Sequence, residues 1–150
     1  MEWITRTGAR LDRAAMVWLI RNHIDTEATI TFLPEADVLA AAEERGATPF
    51  HHPQAELRNT GLRTGFDALL YRYELTDPPL TAMSLALRGA ETNDRQLTPW
   101  SVGLRSICLG LRAKHEDDAD FVAAVGTVLD GLYQFCIELT GPVSGPAKGG

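Results

Sequence analysis

Four groups of residues in this sequence have side chains and spacings that could do chemistry. Arg13 and Arg21 are eight residues apart. On a helix that puts them on nearly one face, two turns from each other. Two guanidinium groups so placed could hold an anion, and two solvated or salt-bridged arginines would show the same spacing. His51, His52 and Glu56 form the second group. Imidazole and carboxylate are usual ligands of first-row metals, so these three are the candidate set for a divalent transition metal. Their spacing matches no HExxH-type signature, and surface histidines beside one carboxylate fit it equally. Asp67, after a glycine and a phenylalanine at a helix start, is the third; an acid there also stabilises the first turn. The fourth is Arg88-Gly89-Ala90-Glu91, with Asn93 and Asp94 beyond it. If Gly89 ends a helix, Arg88 and Glu91 flank the turn and either line a pocket or form a polar connector. Glu56, His51 and Asp67 are therefore the candidate catalytic residues, with Glu56 or His51 as general acid or base. Arg13, Arg21, Arg88 and Glu91 are the candidate ligand-binding residues.

The elements that must position these groups are mostly helical. The pattern predicts a first helix over 12–23 with Asp12 as N-cap. A short strand follows over 28–33, where Ile30 and Phe32 alternate with threonines. A second helix opens at Pro34-Glu35 and stops at Gly46. Residues 47–64 read as a long irregular loop with a short strand near 55–58; a loop of that length in a compact domain is often functional. Helices are expected over 66–73, from Asp77-Pro78-Pro79 to Gly89, and from Thr98-Pro99 onward with Thr98 as N-cap. The last begins among Glu116, Asp117, Asp118 and Asp120, and carries Phe121, Val125, Val128, Leu132, Cys136 and Leu139 at spacings of three and four. The fold class is mainly α (α+β): about six helices and one or two short strands in one compact domain over 1–140. A Gly/Pro-rich tail expected to be disordered follows over 141–150.

The 150-residue chain is long enough for one real core. Apolar residues make up 45% and charged residues 23%, ordinary for a globular protein. The net charge of −6 and the lack of a basic stripe argue against nucleic acid as a partner. No apolar run approaches the roughly 18 residues that a membrane span needs, and the first residues hold no apolar leader, so a cytoplasmic location without membrane contact is expected. Cys108 and Cys136 lie in apolar helical patterns and read as buried, reduced thiols.

In this order the residues are similar to the chromate-resistance protein domain family. Asp12-Arg13, Trp18-Leu19-Ile20-Arg21 and Ile24-Asp25 resemble its opening signature. The resemblance continues through Phe32-Leu33-Pro34, Gly46-Ala47-Thr48-Pro49-Phe50, Glu56, Phe66-Asp67, Leu75-Thr76-Asp77-Pro78 and Arg88-Gly89-Ala90, and reaches Asp130-Gly131-Leu132-Tyr133 before Cys136. It covers about residues 2–139. The chain departs from the family pattern at His51, Asn59, Thr64 and Glu91. The resemblance implies a protein that binds a metal ion or oxyanion through arginine, carboxylate and histidine side chains. Two alternatives stay open. One is a small enzyme acting on a carboxylated organic substrate by acid/base or metal-assisted chemistry. The other is a non-catalytic binding subunit, with Trp3, Trp18 and Trp100 in a homodimer interface.

Overall fold

A computed structural model describes residues 1–141; the expected tail lies, apart from Gly141, outside the described residues. The chain opens with a strand, β1 (Glu2–Arg6), which the sequence pattern does not announce. Its middle residues Trp3, Ile4 and Thr5 are all buried. Trp3 joins the main core, while Ile4 packs with Val38 and Ala42 on the opposite face. A strand covered on both faces shows no polar/apolar alternation, so the usual strand signature is missing.

β1 is central in a three-stranded sheet of order β2-β1-β3. It pairs in parallel with β2 (Thr29–Leu33), from Glu2 opposite Thr29 to Arg6 opposite Leu33. It pairs on its other edge with β3 (Thr48–Pro49). The expected strand near 55–58 does not form; the ladder falls at Thr48–Pro49 instead. Pro49 is tolerated there because β3 is an edge strand, and an edge does not need its missing N–H. Parallel strands need crossovers. α1 (Leu11–Leu19) supplies the first and α2 (Glu35–Arg45) the second. Gly46, at φ 64°, ends α2 as expected.

α1 is buried along nearly its whole length and is the axis of the molecule. Arg10 precedes its first turn; Asp12 lies within that turn and is not the N-cap. The helix does not run on to His23. After Leu19 it widens into a π-helical turn, Ile20–Ile24, closed by the Asp25 N–H on the Ile20 carbonyl. α3 (Gly65–Arg72) starts from a capping box in which Thr64 and Asp67 each bond the other's backbone N–H.

α4 (Pro78–Glu91) begins at Pro78 as expected but continues through Gly89. That glycine marks a close approach: a Cβ there would lie 2.3 Å from Ser101 Oγ. α5 (Ser101–Lys114) starts later than Thr98, because residues 98–100 form a turn. Thr98 Oγ1 bonds Ser101 Oγ at 2.6 Å, and Ser101 donates to the Ala86 carbonyl of α4 at 2.9 Å. α6 (Asp118–Thr140) is N-capped by Asp117 and packs against α1 and α4.

The mainly helical α+β class holds, with three strands in place of one or two. By length and composition α6 could cross a membrane, against the expectation that no apolar run is long enough. Within the fold one face of it, Phe121, Val122, Val125, Leu129 and Cys136, packs on the core, and its Asp130 accepts a hydrogen bond from the Trp18 indole at 2.8 Å, while Phe135, Ile137 and Leu139 are exposed. Trp3 and Trp18 are buried in this chain's own core. Cys108 and Cys136 are buried free thiols.

Candidate functional site

A cavity of about 480 Å³ opens where the turn after β1 meets the ends of three helices. Arg10, Leu11 and Asp12 bring the start of α1 to it; Ala90 and Glu91 bring the end of α4. Arg105 and Arg112 reach it from α5, and Phe121 from the first turns of α6. This is the carboxyl end of the central parallel strand, where α/β sheets generally place ligands.

The β1–α1 wall is held from within. Arg13 is buried and donates to the carbonyls of Arg6 (2.8 Å), Thr7 (2.9 Å) and Gly8 (2.7 Å). Burial pulls its pKa below the ordinary value, and neighbouring Asp12 opposes that shift. The amides of Gly8 and Ala9 donate to Asp118 at 3.1 and 2.7 Å. Arg112 ties the same turn to α6, donating to the Ala9 carbonyl at 2.8 Å and to Asp118 at 3.0 Å.

Asp12 sits between this turn and the long loop. Its Oδ1 accepts the Arg13 amide at 2.6 Å, and its Oδ2 lies 3.1 Å from His51 Nε2. Arg6 approaches the other ring nitrogen, Nδ1, at 3.3 Å and donates to the His51 carbonyl at 3.0 Å. Arginine has no acceptor, so Nδ1 takes the acceptor role toward Arg6 in the neutral ring, while Nε2 meets the Asp12 carboxylate as a close polar contact without a hydrogen bond's geometry. Burial alone would raise the pKa of Asp12; neighbouring His51, then Arg13, overcome it and bring it down to about 2. His51 adopts φ 49°, a left-handed conformation in which His, Asn and Asp are enriched. Its amide bonds the Leu57 carbonyl at 2.6 Å, closing the loop around it.

The α4–α5 wall is different. Both carboxyl oxygens of Glu91 are buried and have no hydrogen-bond partner among the described residues. Burial first, then the charges of Asp12 and Asp67, push its pKa well above the ordinary carboxylate range. That shift favours the protonated acid, the form that can donate a hydrogen bond. One turn back, Arg88 lies 3.3 Å from Asp67 Oδ1, and its Nε is buried without a partner. Burial, then Glu91, raise the Cys108 thiol to about 11, so it stays protonated and is no nucleophile. The side chains of Arg10 and Arg105 line the cavity and have no hydrogen-bond or ion-pair partner among the described residues.

The candidates from the sequence separate accordingly. Glu91 lines the cavity; His51 reaches it only through Asp12, and Asp67 pairs with Arg88 one turn from Glu91. Arg13 is next to the cavity, but both its terminal nitrogens are spent on backbone carbonyls, and its Nε lies 3.5 Å from Asp12 Oδ1. Arg21 does not join Arg13: Arg13 is buried under the β1–α1 turn, whereas Arg21 is exposed and borders a shallow groove with Trp18, Asn22 and Asp130. His52 packs on α2, with Nε2 3.2 Å from the Glu35 carbonyl and Nδ1 accepting the Gln54 amide. Glu56 is exposed and pairs with Arg72 at 2.8 Å. His51, His52 and Glu56 therefore do not converge, and among the described residues no three His, Cys, Asp or Glu side chains form a metal-ligand set. Sequence reasoning missed Arg10, Arg105 and Arg112 and treated Asp12 only as a cap. One signal was present: Arg105 and Arg112 are seven residues apart, two turns on one helix face.

A family model described as "ChrB, C-terminal domain" matches residues 3–136. Protein ChrB of Cupriavidus metallidurans is 30% identical over 133 residues, which span 88% of this chain and 40% of that protein. The chain thus spans less than half the length of this curated relative. No solved structure matches it.

Proposed function

The chain belongs to the ChrB C-terminal domain family, a chromate-resistance family, and on that premise we propose that it binds an oxyanion in the cavity between α1, α4 and α5. The observation that carries this reading is the pairing of Arg10 and Arg105, which face the cavity without partners, with the buried Glu91 carboxyl. Guanidinium groups hold oxyanions through charge-assisted, directional hydrogen bonds. A carboxyl whose burial favours the protonated form repels an anion less and, when protonated, can donate to it. The scattered placement of His51, His52 and Glu56 favours an oxyanion over a metal ion as the ligand.

Calorimetric titration with chromate tests the reading. Arg105→Ala removes one charge-assisted contact, of about 1.5–3 kcal/mol, and is expected to weaken binding by about tenfold to a hundredfold with an unchanged melting temperature. Wild-type protein that takes up no chromate at millimolar concentration, or an Arg105→Ala variant that binds as tightly as wild type, would overturn it.

A further inference from the structure

The size and walls of the cavity specify its ligand more closely than charge does. A tetrahedral oxyanion fills only a small part of about 480 Å³, a volume in the range of sites that hold small organic molecules. Between the arginines and Glu91 the lining is apolar: Leu11, Ala90, Cys108, Leu109, Ala113 and Phe121. Water against those side chains gains little, whereas a hydrocarbon body displaces it favourably. Glu91 adds a directional element. Its carboxyl oxygens are shielded from solvent and unpartnered among the described residues, a state that a ligand can relieve.

Resting on the reading that this cavity binds anions, we propose that its ligand is a small amphipathic organic acid: a carboxylate on Arg105 and Arg10, an aliphatic body along Leu11, Leu109 and Phe121, and an uncharged oxygen accepting a hydrogen bond from the Glu91 carboxyl. The arginines then supply affinity for the charge, and the apolar walls select for chain length. Glu91 is the specificity-determining residue, separating acids with a second oxygen from plain fatty acids. A hydrogen bond to a buried, otherwise unpaired group discriminates more sharply than added methylenes do.

Calorimetry on the whole chain with sulfate, acetate, hexanoate, 2-oxohexanoate and 5-oxohexanoate tests this. Hexanoate is expected to bind at least tenfold more tightly than acetate or sulfate, and the better of the two keto acids about tenfold more tightly than hexanoate. Glu91→Gln, which keeps a donor, should preserve the keto-acid advantage; Glu91→Leu should abolish it while retaining hexanoate binding. Thermal melts check that both variants fold, and retained hexanoate binding checks the leucine variant independently. Hexanoate binding no tighter than acetate, or a keto-acid advantage that survives Glu91→Leu, would overturn the inference while leaving oxyanion binding intact. Failure of chromate, sulfate and every carboxylate alike would instead remove the anion-binding reading beneath it.

Discussion

The β1–α1 wall of the cavity is tied together by many hydrogen bonds within the protein, with Arg13 Nε, His51 Nε2 and the Arg10 guanidinium left over; on the α4–α5 wall both oxygens of one carboxyl, Glu91, are buried without any. Arg13 spends its two terminal guanidinium nitrogens on three carbonyls, and Asp118 takes two amides and Arg112. Across the cavity from them, both Glu91 carboxyl oxygens are buried without partners among the described residues, as are the Nε atoms of Arg88 and Arg95 outside the cavity lining. An unpaired buried polar group is costly. The first wall is therefore built for stability, and the second keeps capacity for something else. Substitutions on the first should damage the fold, and substitutions at Glu91 should be tolerated by it.

The largest effect is expected at Arg13. Arg13→Met keeps much of the apolar stem but leaves Asp12 without its cationic neighbour and three carbonyls without donors. Breaking such a buried arrangement costs about 3–5 kcal/mol, measurable by denaturant unfolding. A loss below about 1 kcal/mol would mean that water replaces the guanidinium and that the wall is not self-supporting. Next is Gly89→Ala. The added methyl would meet Ser101 Oγ at 2.3 Å and Ser101 Cβ at 2.8 Å, and overpacking of this kind costs about 1–3 kcal/mol. Because Gly89 sits two residues before Glu91, the same variant should weaken anion binding, read by calorimetry. Unchanged stability would show that α4 and α5 can separate freely.

The two cavity carboxylates sharpen the contrast through pH. Glu91 has its folded pKa raised above 4.5. Its contribution to stability is fully present below that value and is lost as pH rises through the folded pKa. Asp12 is depressed from 3.8 to about 2, so its contribution is present above 3.8 and is lost as pH falls toward 2. Glu91→Gln should flatten the alkaline side of the stability profile, and Asp12→Asn the acid side, in unfolding titrations followed across pH. If both variants flattened the same side, the two carboxylates would share one environment and the two-wall distinction would fail.

What could be read from the sequence follows the same division. Helices whose faces repeat at three and four residues, and stops such as Gly46, are visible because the signal is local. β1 is hidden because both its faces are covered, and α4 overruns its expected end because Gly89 serves a contact with Ser101, not a terminus. At the site, His51 and Glu91 stand out as residue types, but their partners do not. Asp12 meets His51 across 39 residues of chain, and Arg105 meets Glu91's cavity only once α4 and α5 pack. Arg21 misleads because eight residues overshoot two helical turns by about 80°, which leaves it exposed while Arg13 is buried.

The smallest expected effect is the most discriminating for the long loop. Glu56 and His51 lie five residues apart and carry similar promise in the sequence, yet one is exposed and the other buried. Glu56 pairs with Arg72 at the surface, and exposed pairs contribute about 0–1 kcal/mol. Glu56→Ala should therefore leave unfolding free energy within about 0.5 kcal/mol of wild type and chromate affinity within error. His51→Ala, by contrast, withdraws the imidazole 3.1 Å from the Asp12 carboxylate and puts alanine at φ 49°, where it is less at home than histidine, so it should lower stability and shift the acid limb of the stability profile. A clear loss of ligand binding in Glu56→Ala would mean that the loop turns inward when the cavity fills, making the wall around His51 mobile where its hydrogen bonds to Arg6 and Leu57 describe it as fixed.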